Sequence, residues 1–430
     1  MTDNYDSNPL EIARRLGASI GGELGERAFQ EMELAFVNAV LPKFSNNSLI
    51  RMRQHILLYW HQSYHKSTLI NEFSRCIPDS IPQTNITSNT PETLFGSINE
   101  KNEINYPLFT NVRIVKISEL STFVTGRHCG EIVNSMNKIL EGERVERQLL
   151  KLSRKELSDE EINNIVDRGI NYDPFKGELS YTPDVSVFAG SRPLDNRTFT
   201  HLKSSGYFYR NHVIQKQLTD RKVERYLKKN YTPDQSLYGP LKTLNEKIAS
   251  AKIKRINTPS AEITAYLMEN LIDIAKDYSK HRKNGLSEIV DLRVKGDAIR
   301  ELAAYSTILM LNQSDFKDID KVEYSQEAVD FVADDIEHFI EARINPLFTE
   351  DLTKIALIKH KASDYAKIAV LGILNCETLT SRGEIDAKLL SACLNPEFSK
   401  ATLSSALKHL VEEGKIENPK FGFYRKKKPD

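Results

Sequence analysis

The sequence predicts an α/β protein in which a sheet domain is followed by a helical domain and then by a small C-terminal domain. Two features of the sequence predict this. Three short apolar runs, each typical of a buried strand, alternate with helical stretches between residues 55 and 189, which indicates strands joined by crossovers. From about Pro259, apolar residues recur at helical spacing over much longer stretches.

Length and composition limit the class of protein. A chain of 430 residues is too long for one ordinary core and, at roughly 150 residues per domain, corresponds to two or three domains. Hydrophobic residues make up 40% and charged residues 27%, which excludes a collagen-like or wholly disordered chain. The 59 Lys and Arg balance the 59 Asp and Glu, so a basic surface for nucleic acid has to be local.

The cellular environment is predicted from what the sequence lacks. No apolar run approaches the roughly 20 residues that span a bilayer, and the acidic, polar start is unlike a signal peptide. We therefore expect a cytoplasmic protein without a membrane partner. The cysteines are widely spaced without a CxxC pair, which indicates buried or half-buried thiols; they are Cys76, Cys129, Cys376 and Cys393.

The predicted elements follow in chain order. One or two leading helices extend to about Lys43, with a break at Gly21-Gly22. Buried strands and long helices then follow from the apolar patterns. The predicted strands are His55–Trp60, Val112–Ile117 and Val185–Ala189, and the predicted helices are Ser67–Arg75, Ala261–His281, Ala298–Leu311 and Gln326–Ala342. The charged stretch Ser153–Gly177 is expected to be an insertion or a surface helix.

The C-terminal part, from about Asp364, has three helical stretches and two short strands. The strands are expected at Lys415–Glu417 and Phe421–Tyr424, joined by a turn at Asn418-Pro419. This order of elements is the winged-helix pattern.

The first strand is followed by residues that resemble a nucleotide-binding P-loop. Such a loop needs a lysine for phosphate oxygens, a Ser or Thr for Mg²⁺, and a helix whose N-terminus faces the anion. Lys66 and Ser67 stand at these positions and Thr68 follows, whereas Trp60 and His65 replace the two glycines. His tolerates the left-handed conformation better than most residues. The alternative is a helix start capped by a hydroxyl group.

The second strand ends in residues that resemble a Walker B motif. There, a first acid holds the Mg²⁺ sphere and the following Glu orients the attacking water. In this chain Ser118 replaces the first acid and Glu119 follows it.

The order of these motifs resembles the AAA+ ATPases, and among them the MCM-type replicative helicases. Further segments resemble that family: Glu119–Val145, Val185–Pro193 with the sensor 1 position, Ser205–Arg210, and Asp291–Ala303 with the lid helix. The resemblance implies ATP and Mg²⁺ as ligands. It implies that the nucleotide is bound by His65, Lys66, Ser67 and Thr68, and that Ser67 also coordinates the metal. Glu119 would orient the attacking water, and Ser191 would contact the γ-phosphate. Arg210 would be the arginine finger, and Arg293 would bind the nucleotide from the lid.

The resemblance also divides the chain. It implies N-terminal helices (1–45), an AAA+ α/β nucleotide-binding core (46–250), a helical lid (251–345), and a linker with a winged-helix domain (346–430). An arginine finger acts across a subunit contact, so a homo-oligomeric ring or partner AAA+ subunits are expected. The replaced glycines and the replaced acid all fall on phosphate and Mg²⁺ positions. An unrelated α/β protein whose strands end in polar residues is the alternative.

The C-terminal domain carries candidate DNA contacts. Its third helix presents Lys400, Ser404 and Lys408 outward if Leu403, Leu407 and Leu410 face the core. From Lys415 to Asp430 there are six basic residues against two acidic ones, and the wing candidates among them are Lys420, Arg425 and Lys426. A protein-binding winged helix with a solvated basic tail is the alternative.

Three functions are compatible with these features. The first is an MCM-like ATPase acting on DNA, as a helicase or another motor associated with replication. The second is an AAA+-fold DNA-binding or regulatory protein that does not hydrolyse ATP. The third is a transcription regulator that acts through its winged helix.

Overall fold

The structure is a computed structural model whose described residues fall in two compact units, Met1–Thr349 and Glu350–Asp430. The described residues are 8–43, 50–60, 65–86, 90–98, 104–124, 128–148, 158–173, 176, 178–215, 231–282, 292–314, 317–348, 367, 370–371, 374, 384–394, 400–420 and 423–426.

The first unit is mixed α/β with a mostly parallel central sheet. Its helices are α1 (Pro9–Val40), α2 (Lys66–Ser74), α3 (Pro91–Phe95), α4 (Ser121–Val124), α5 (Cys129–Glu141), α6 (Asp159–Asp167), α7 (Asn196–Ser204), α8 (Tyr238–Ser250), α9 (Ala261–Arg282), α10 (Leu292–Gln313) and α11 (Gln326–Phe348). Its strands are β1 (Ile56–Tyr59), β2 (Gln83–Ile86), β3 (Ser97–Ile98), β4 (Ile104–Asn105), β5 (Ile114–Ile117), β6 (Val145–Gln148), β7 (Ile170–Asp173), β8 (Glu178–Tyr181), β9 (Ser186–Ser191), β10 (His212–Gln215), β11 (Ile253–Ile256) and β12 (Ile319–Val322).

Five parallel strands form the central sheet, in the order β10-β1-β9-β5-β2. The three predicted strands are the three middle ones. Burial on both faces explains their continuous apolar sequences, since every residue of β1 and β9 is buried. The outer strands β2 and β10 were not predicted, because β2 (QTNI) has one apolar residue and β10 (HVIQ) has two apolar residues between polar ones.

An antiparallel sheet is inserted between β5 and β9. Its order is β6-β8-β7, and α6 precedes β7. The charged stretch predicted as an insertion or surface helix overlaps these elements. Of α6 only Ile165 is buried, so this part of the prediction is confirmed, while the strands on either side were missed.

The long helices and α1 share one hydrophobic core with the sheet. Helix α1 packs against α8 and α10, and α10 packs against α11. The predicted break at Gly21-Gly22 is a kink inside α1, where Gly22 has a left-handed φ of 56°. After the kink, every residue of α1 from 28 to 39 is buried.

Three strands and two helices of the second unit have bounds within the described residues. They are β13 (Glu384–Asp386), α12 (Ala387–Leu394), α13 (Lys400–Glu412), β14 (Ile416–Lys420) and β15 (Phe423–Lys426). The strands are antiparallel in the order β13-β15-β14. Its core includes Leu403, Leu407 and Leu410, as the helical pattern predicts. A winged-helix assignment stays a prediction.

The turn predicted at Asn418-Pro419 is wrong. Both residues lie inside β14, and the pairing with β15 shifts register between Glu417 and Lys420. A proline has no N–H to donate, and an irregularity of this kind is where a strand accommodates one. Strand β15 begins at Phe423, and residues 421–422 lie outside the described part of the chain.

Two of the four cysteines, Cys76 and Cys129, have described side chains. Cys76 is buried and Cys129 is half-buried, as expected. In the described part of the chain, no helix is both long enough and apolar enough to cross a membrane.

Candidate functional site at the carboxyl edge of the central sheet

Most of the predicted nucleotide-site residues lie where three neighbouring strands end. Lys66 begins the helix after β1, Glu119 follows β5, and Ser191 is the last residue of β9. The strands are parallel and adjacent, and Tyr59 pairs with Ser191 at their ends. In open α/β sheets the carboxyl edge is where ligands bind.

The loop before α2 has one feature of a P-loop. His65 adopts φ 56° and ψ 15°, the left-handed conformation that glycine takes most easily. The chain then enters α2 directly, and the Leu69 N–H donates to the His65 carbonyl oxygen at 2.7 Å. Residues 61–64 of the loop lie outside the described part.

The side chain of Lys66 is buried against the strand that precedes it. It is 6% exposed, and its Nζ donates a hydrogen bond to the Trp60 carbonyl oxygen at 2.8 Å. The same Nζ lies 5.8 Å from the centre of the Trp60 ring. Burial lowers the pKa of the Lys66 ammonium to about 8, against the opposing field of the Glu119 carboxylate. At neutral pH the ammonium is therefore still the major form.

The two hydroxyl residues after Lys66 lie in the first turn of α2. Ser67 is exposed and Thr68 is half-buried. The first N–H groups of a helix have no partner within the helix, so this end favours an anion. Ser67 is thus accessible to a ligand held there.

Glu119 is held beside this turn by backbone groups from two elements. Its Oε1 accepts from the N–H of Ser121 at 3.2 Å and from the N–H of Arg192 at 3.1 Å. Ser191 is fully buried, and its Oγ donates to the carbonyl oxygen of Arg192 at 2.8 Å. Glu119 and Ser191 are therefore joined through one backbone segment, 191–192.

Sequence reasoning missed Gly190, which allows these segments to approach. A Cβ at this position would lie 2.9 Å from the Ser118 carbonyl oxygen and 3.3 Å from the Lys66 Cβ. The Gly190 carbonyl oxygen in turn accepts from the N–H of Leu120 at 2.7 Å. A glycine at the end of a buried strand is the signal in the sequence, since it marks a close backbone approach.

Arg192 is a second residue that was missed. Its side chain is exposed, and its Nε donates to Ser121 Oγ at 3.0 Å. It therefore places a guanidinium at the same edge as Lys66. A basic residue directly after a strand end is the corresponding signal.

The two other predicted arginines are not part of this arrangement as described. Arg210 pairs with Glu141 at 2.7 Å, and its Nη1 donates to the carbonyl oxygens of Ser205 and Gly206. Arg293 lies in the first turn of α10, but its side chain is outside the described residues. The roles predicted for both remain predictions.

The candidate DNA contacts in the second unit are only partly described. Ser404 and Lys408 lie exposed on α13, and Lys408 is 3.9 Å from Glu412. Arg425 donates through Nε to Glu417, and its Nη1 is 3.7 Å from Glu384. Its charge is thus partly neutralised across the sheet. The side chains of Lys400, Lys420 and Lys426 lie outside the described part of the chain.

Comparison with known proteins gives no independent assignment. No protein-family model matches the chain, and none of the curated proteins compared with it is a match.

Proposed function

We propose that this chain is an AAA+-type ATPase acting on DNA, similar to the MCM-type helicases. One observation carries the proposal: Lys66, Glu119 and Ser191, which are far apart in the sequence, meet at the carboxyl edge of one parallel sheet. The strand order also supports it. Numbered along the chain, the five sheet strands run fifth, first, fourth, third, second, so the strands that precede Lys66, Ser191 and Glu119 are neighbours inside one open parallel sheet.

The residues of this edge fit a nucleoside triphosphate with Mg²⁺. The Lys66 ammonium would exchange the Trp60 carbonyl oxygen for phosphate oxygens, and the N-terminus of α2 would face the same anion. The exposed Ser67 hydroxyl is the candidate ligand of the metal. Bound Mg²⁺ would neutralise phosphate charge. The Glu119 carboxylate would orient water. The buried Ser191 hydroxyl would have to release the Arg192 carbonyl oxygen to reach the γ-phosphate.

A second function, nucleotide binding without hydrolysis, is favoured by the surroundings of Glu119. Its Oε1 is already engaged by two backbone N–H groups, and Ser118 stands where the first acid of the motif belongs. These bonds use one carboxylate oxygen and leave acceptor positions for a water, so the replaced acid at Ser118, which would hold the Mg²⁺ sphere, is the main support for this function. In this case the fold would serve assembly and DNA binding.

The assembly part of the proposal rests on Arg210. To act on a nucleotide in a neighbouring subunit of a ring, or in a partner AAA+ subunit, its guanidinium would have to leave Glu141. The side chain of Arg210 is 16% exposed and that of Glu141 is 29% exposed. Separating this partly buried pair therefore requires more free energy than separating a fully solvated pair.

In this proposal the second unit contacts DNA. The contacts would be made by the exposed Ser404 and Lys408 of α13 and by the basic residues of β14 and β15. If the isolated second unit bound one DNA sequence with the affinity of the whole chain, the transcription-regulator alternative would be favoured.

The test is ATP turnover and nucleotide binding by the whole chain, with and without single-stranded DNA. The variants are Lys66→Ala and Glu119→Gln, with Lys203→Ala as a control that removes an exposed lysine elsewhere. We expect Lys66→Ala to abolish binding and turnover. Glu119→Gln should retain binding and abolish turnover.

Two other outcomes separate the alternatives. Binding that depends on Lys66 without measurable turnover would favour the non-hydrolysing protein. If the wild type and Lys66→Ala bound nucleotide equally, the proposed site would be refuted.

A further inference from the structure

Three acidic side chains meet in the interior of the first unit, where helices α1, α10 and α11 pack together. Glu31 and Glu301 are 0% exposed and Asp335 is 8% exposed. One carboxylate oxygen from each lies within 4.8 Å of the others. We refer to these three residues as the buried triad.

A single guanidinium accompanies the triad. Arg27 donates to both oxygens of Asp335, at 2.6 Å for Nη2 to Oδ2, and its Nη2 lies 2.7 Å from Glu31 Oε1. One positive charge thus faces three carboxyl groups. A buried carboxylate without a compensating charge is strongly unfavourable, so this arrangement needs further positive charge or protons.

The neighbouring groups do not supply that charge in full. The buried Asp297 uses Arg300, at 2.5 Å, as its own partner. His212 Nε2 lies 3.6 Å from Glu31 Oε2, and His338 follows Asp335 by three residues on α11. A histidine need not be charged at neutral pH.

Glu301 is the member of the triad that has no donor group of its own. Neither of its carboxylate oxygens receives an N–H or hydroxyl donor among the described residues, and a hydrogen bond to the Asp335 carboxyl group requires a proton on one of the two acids. One of them nevertheless lies within 4.8 Å of oxygens from Glu31 and Asp335. Buried polar groups are almost always satisfied, so a group that is not satisfied indicates a missing partner.

We infer that Glu31, Glu301 and Asp335 bind one divalent cation of the class that prefers oxygen ligands: Mg²⁺, Mn²⁺ or Ca²⁺. A point equidistant from three atoms 4.8 Å apart lies about 2.8 Å from each, so small side-chain movements reach the roughly 2.0–2.6 Å of such ions. Arg27 does not exclude the ion, because a carboxylate has about four lone-pair positions and can bridge two cations.

The site would be structural. It would link α1 to α10 and α11, each of which contributes one carboxylate. The inference does not rest on the proposed nucleotide site, whose residues lie on other elements.

The test uses the whole chain without nucleotide, treated with EDTA and then desalted. Binding of Mn²⁺ is measured by equilibrium dialysis. Thermal unfolding is followed with added Mg²⁺, Mn²⁺ or Ca²⁺, against K⁺ at the same ionic strength. We expect about one Mn²⁺ per chain and a Tm rise of about 3–5 °C at a cation concentration about 100-fold above Kd.

Three variants test whether the bound Mn²⁺ and the rise in Tm depend on the buried triad. Glu301→Gln should lose both the bound Mn²⁺ and the Tm rise. Glu33→Gln removes another fully buried carboxyl group of α1 and should keep both. Ser67→Ala should also keep both, which separates this site from the predicted metal position of the nucleotide site.

The wild type alone can overturn the inference, even if Glu301→Gln fails to fold. Absence of bound Mn²⁺ together with an unchanged Tm for all three cations would mean that protons and Arg27 neutralise the triad. If Glu301→Gln and Glu33→Gln bound the same amount of Mn²⁺ and showed the same rise in Tm, any bound cation would lie outside the buried triad.

Discussion

Replacing Glu33 by glutamine should stabilise the first unit, and the gain should grow with pH. Glu33 is 0% exposed, and its Oε1 has no hydrogen-bond partner among the described residues. Its Oε2 accepts one long hydrogen bond, 3.3 Å, from Asn245 Nδ2. Burial raises the pKa of this carboxyl group to about 8, and the Asn245 bond opposes the shift only in part.

The direction of the change in the free energy of unfolding with pH follows from proton linkage. Between about pH 4.5 and about pH 8 the folded protein keeps the Glu33 proton, whereas the unfolded chain releases it. The free energy of unfolding therefore falls as pH rises through this window, by up to about 1.4 kcal/mol per pH unit. Glutamine has the same shape and does not titrate. The stability advantage of Glu33→Gln over the wild type should increase by about 3 kcal/mol between about pH 5 and about pH 7.5.

The assay is urea unfolding of both proteins at a series of pH values. Trp60 is the only tryptophan and is buried in the first unit, so its fluorescence reports on that unit. All other titrating groups are common to both proteins and cancel in the difference. A stability difference that stays constant over this pH range would refute the reasoning, because it would mean that Glu33 has the same pKa in the folded and unfolded chain.

Three further predictions concern the sheet edge and the thiols. Gly190→Ala should lower the free energy of unfolding in urea by about 1–3 kcal/mol and weaken nucleotide binding, because the new Cβ would lie 2.9 Å from the Ser118 carbonyl oxygen. The control is Gly130→Ala, whose Cβ would have no atom within 4 Å and which should not lower the free energy of unfolding. His65→Gly should raise the free energy of unfolding by about 1 kcal/mol, since a residue with a Cβ is strained at φ 56°, and an unchanged or lower value would contradict this. Cys76 should resist iodoacetamide in the folded protein, because burial raises the pKa of its thiol to about 12, and mass spectrometry should find it alkylated only after denaturation.

The sequence predicts the sheet best where burial is most complete. The middle strands β1, β5 and β9 are within two residues of their predicted bounds, because a strand covered on both faces is continuously apolar. The outer strands β2 and β10 give no such signal. The inserted strands β6 to β8 were missed for a related reason, since their sequences are largely polar and charged.

Some residues of the candidate site could be predicted from the sequence and others could not. Lys66, Glu119 and Ser191 could be expected together, because each follows a parallel strand and such strands end at one edge. The contribution of Gly190 could not be predicted. It depends on the register between β5 and β9, which brings the Ser118 carbonyl oxygen against this glycine.

The buried acids could not be predicted at all. A glutamate in a helical pattern usually indicates a solvated face, and α1 has none from residue 28 to 39. Glu31 and Glu33 are two residues apart, about 200° around the helix, so they are buried on opposite sides. Glu31 joins Arg27 and the triad, whereas Glu33 faces Asn245 and the region of Cys76.

These contacts also bear on how a lid could move. By resemblance, α10 would be the helix that closes over a bound nucleotide. Its buried Glu301 belongs to the triad with α1 and α11, and its Arg300 donates through Nε to the Arg51 carbonyl oxygen at 2.7 Å, just before β1. Moving α10 as a rigid lid would break both contacts and expose a charged cluster. A nucleotide-driven movement in this protein should therefore be confined to the start of α10, around Arg293, while the rest of the helix stays with the core.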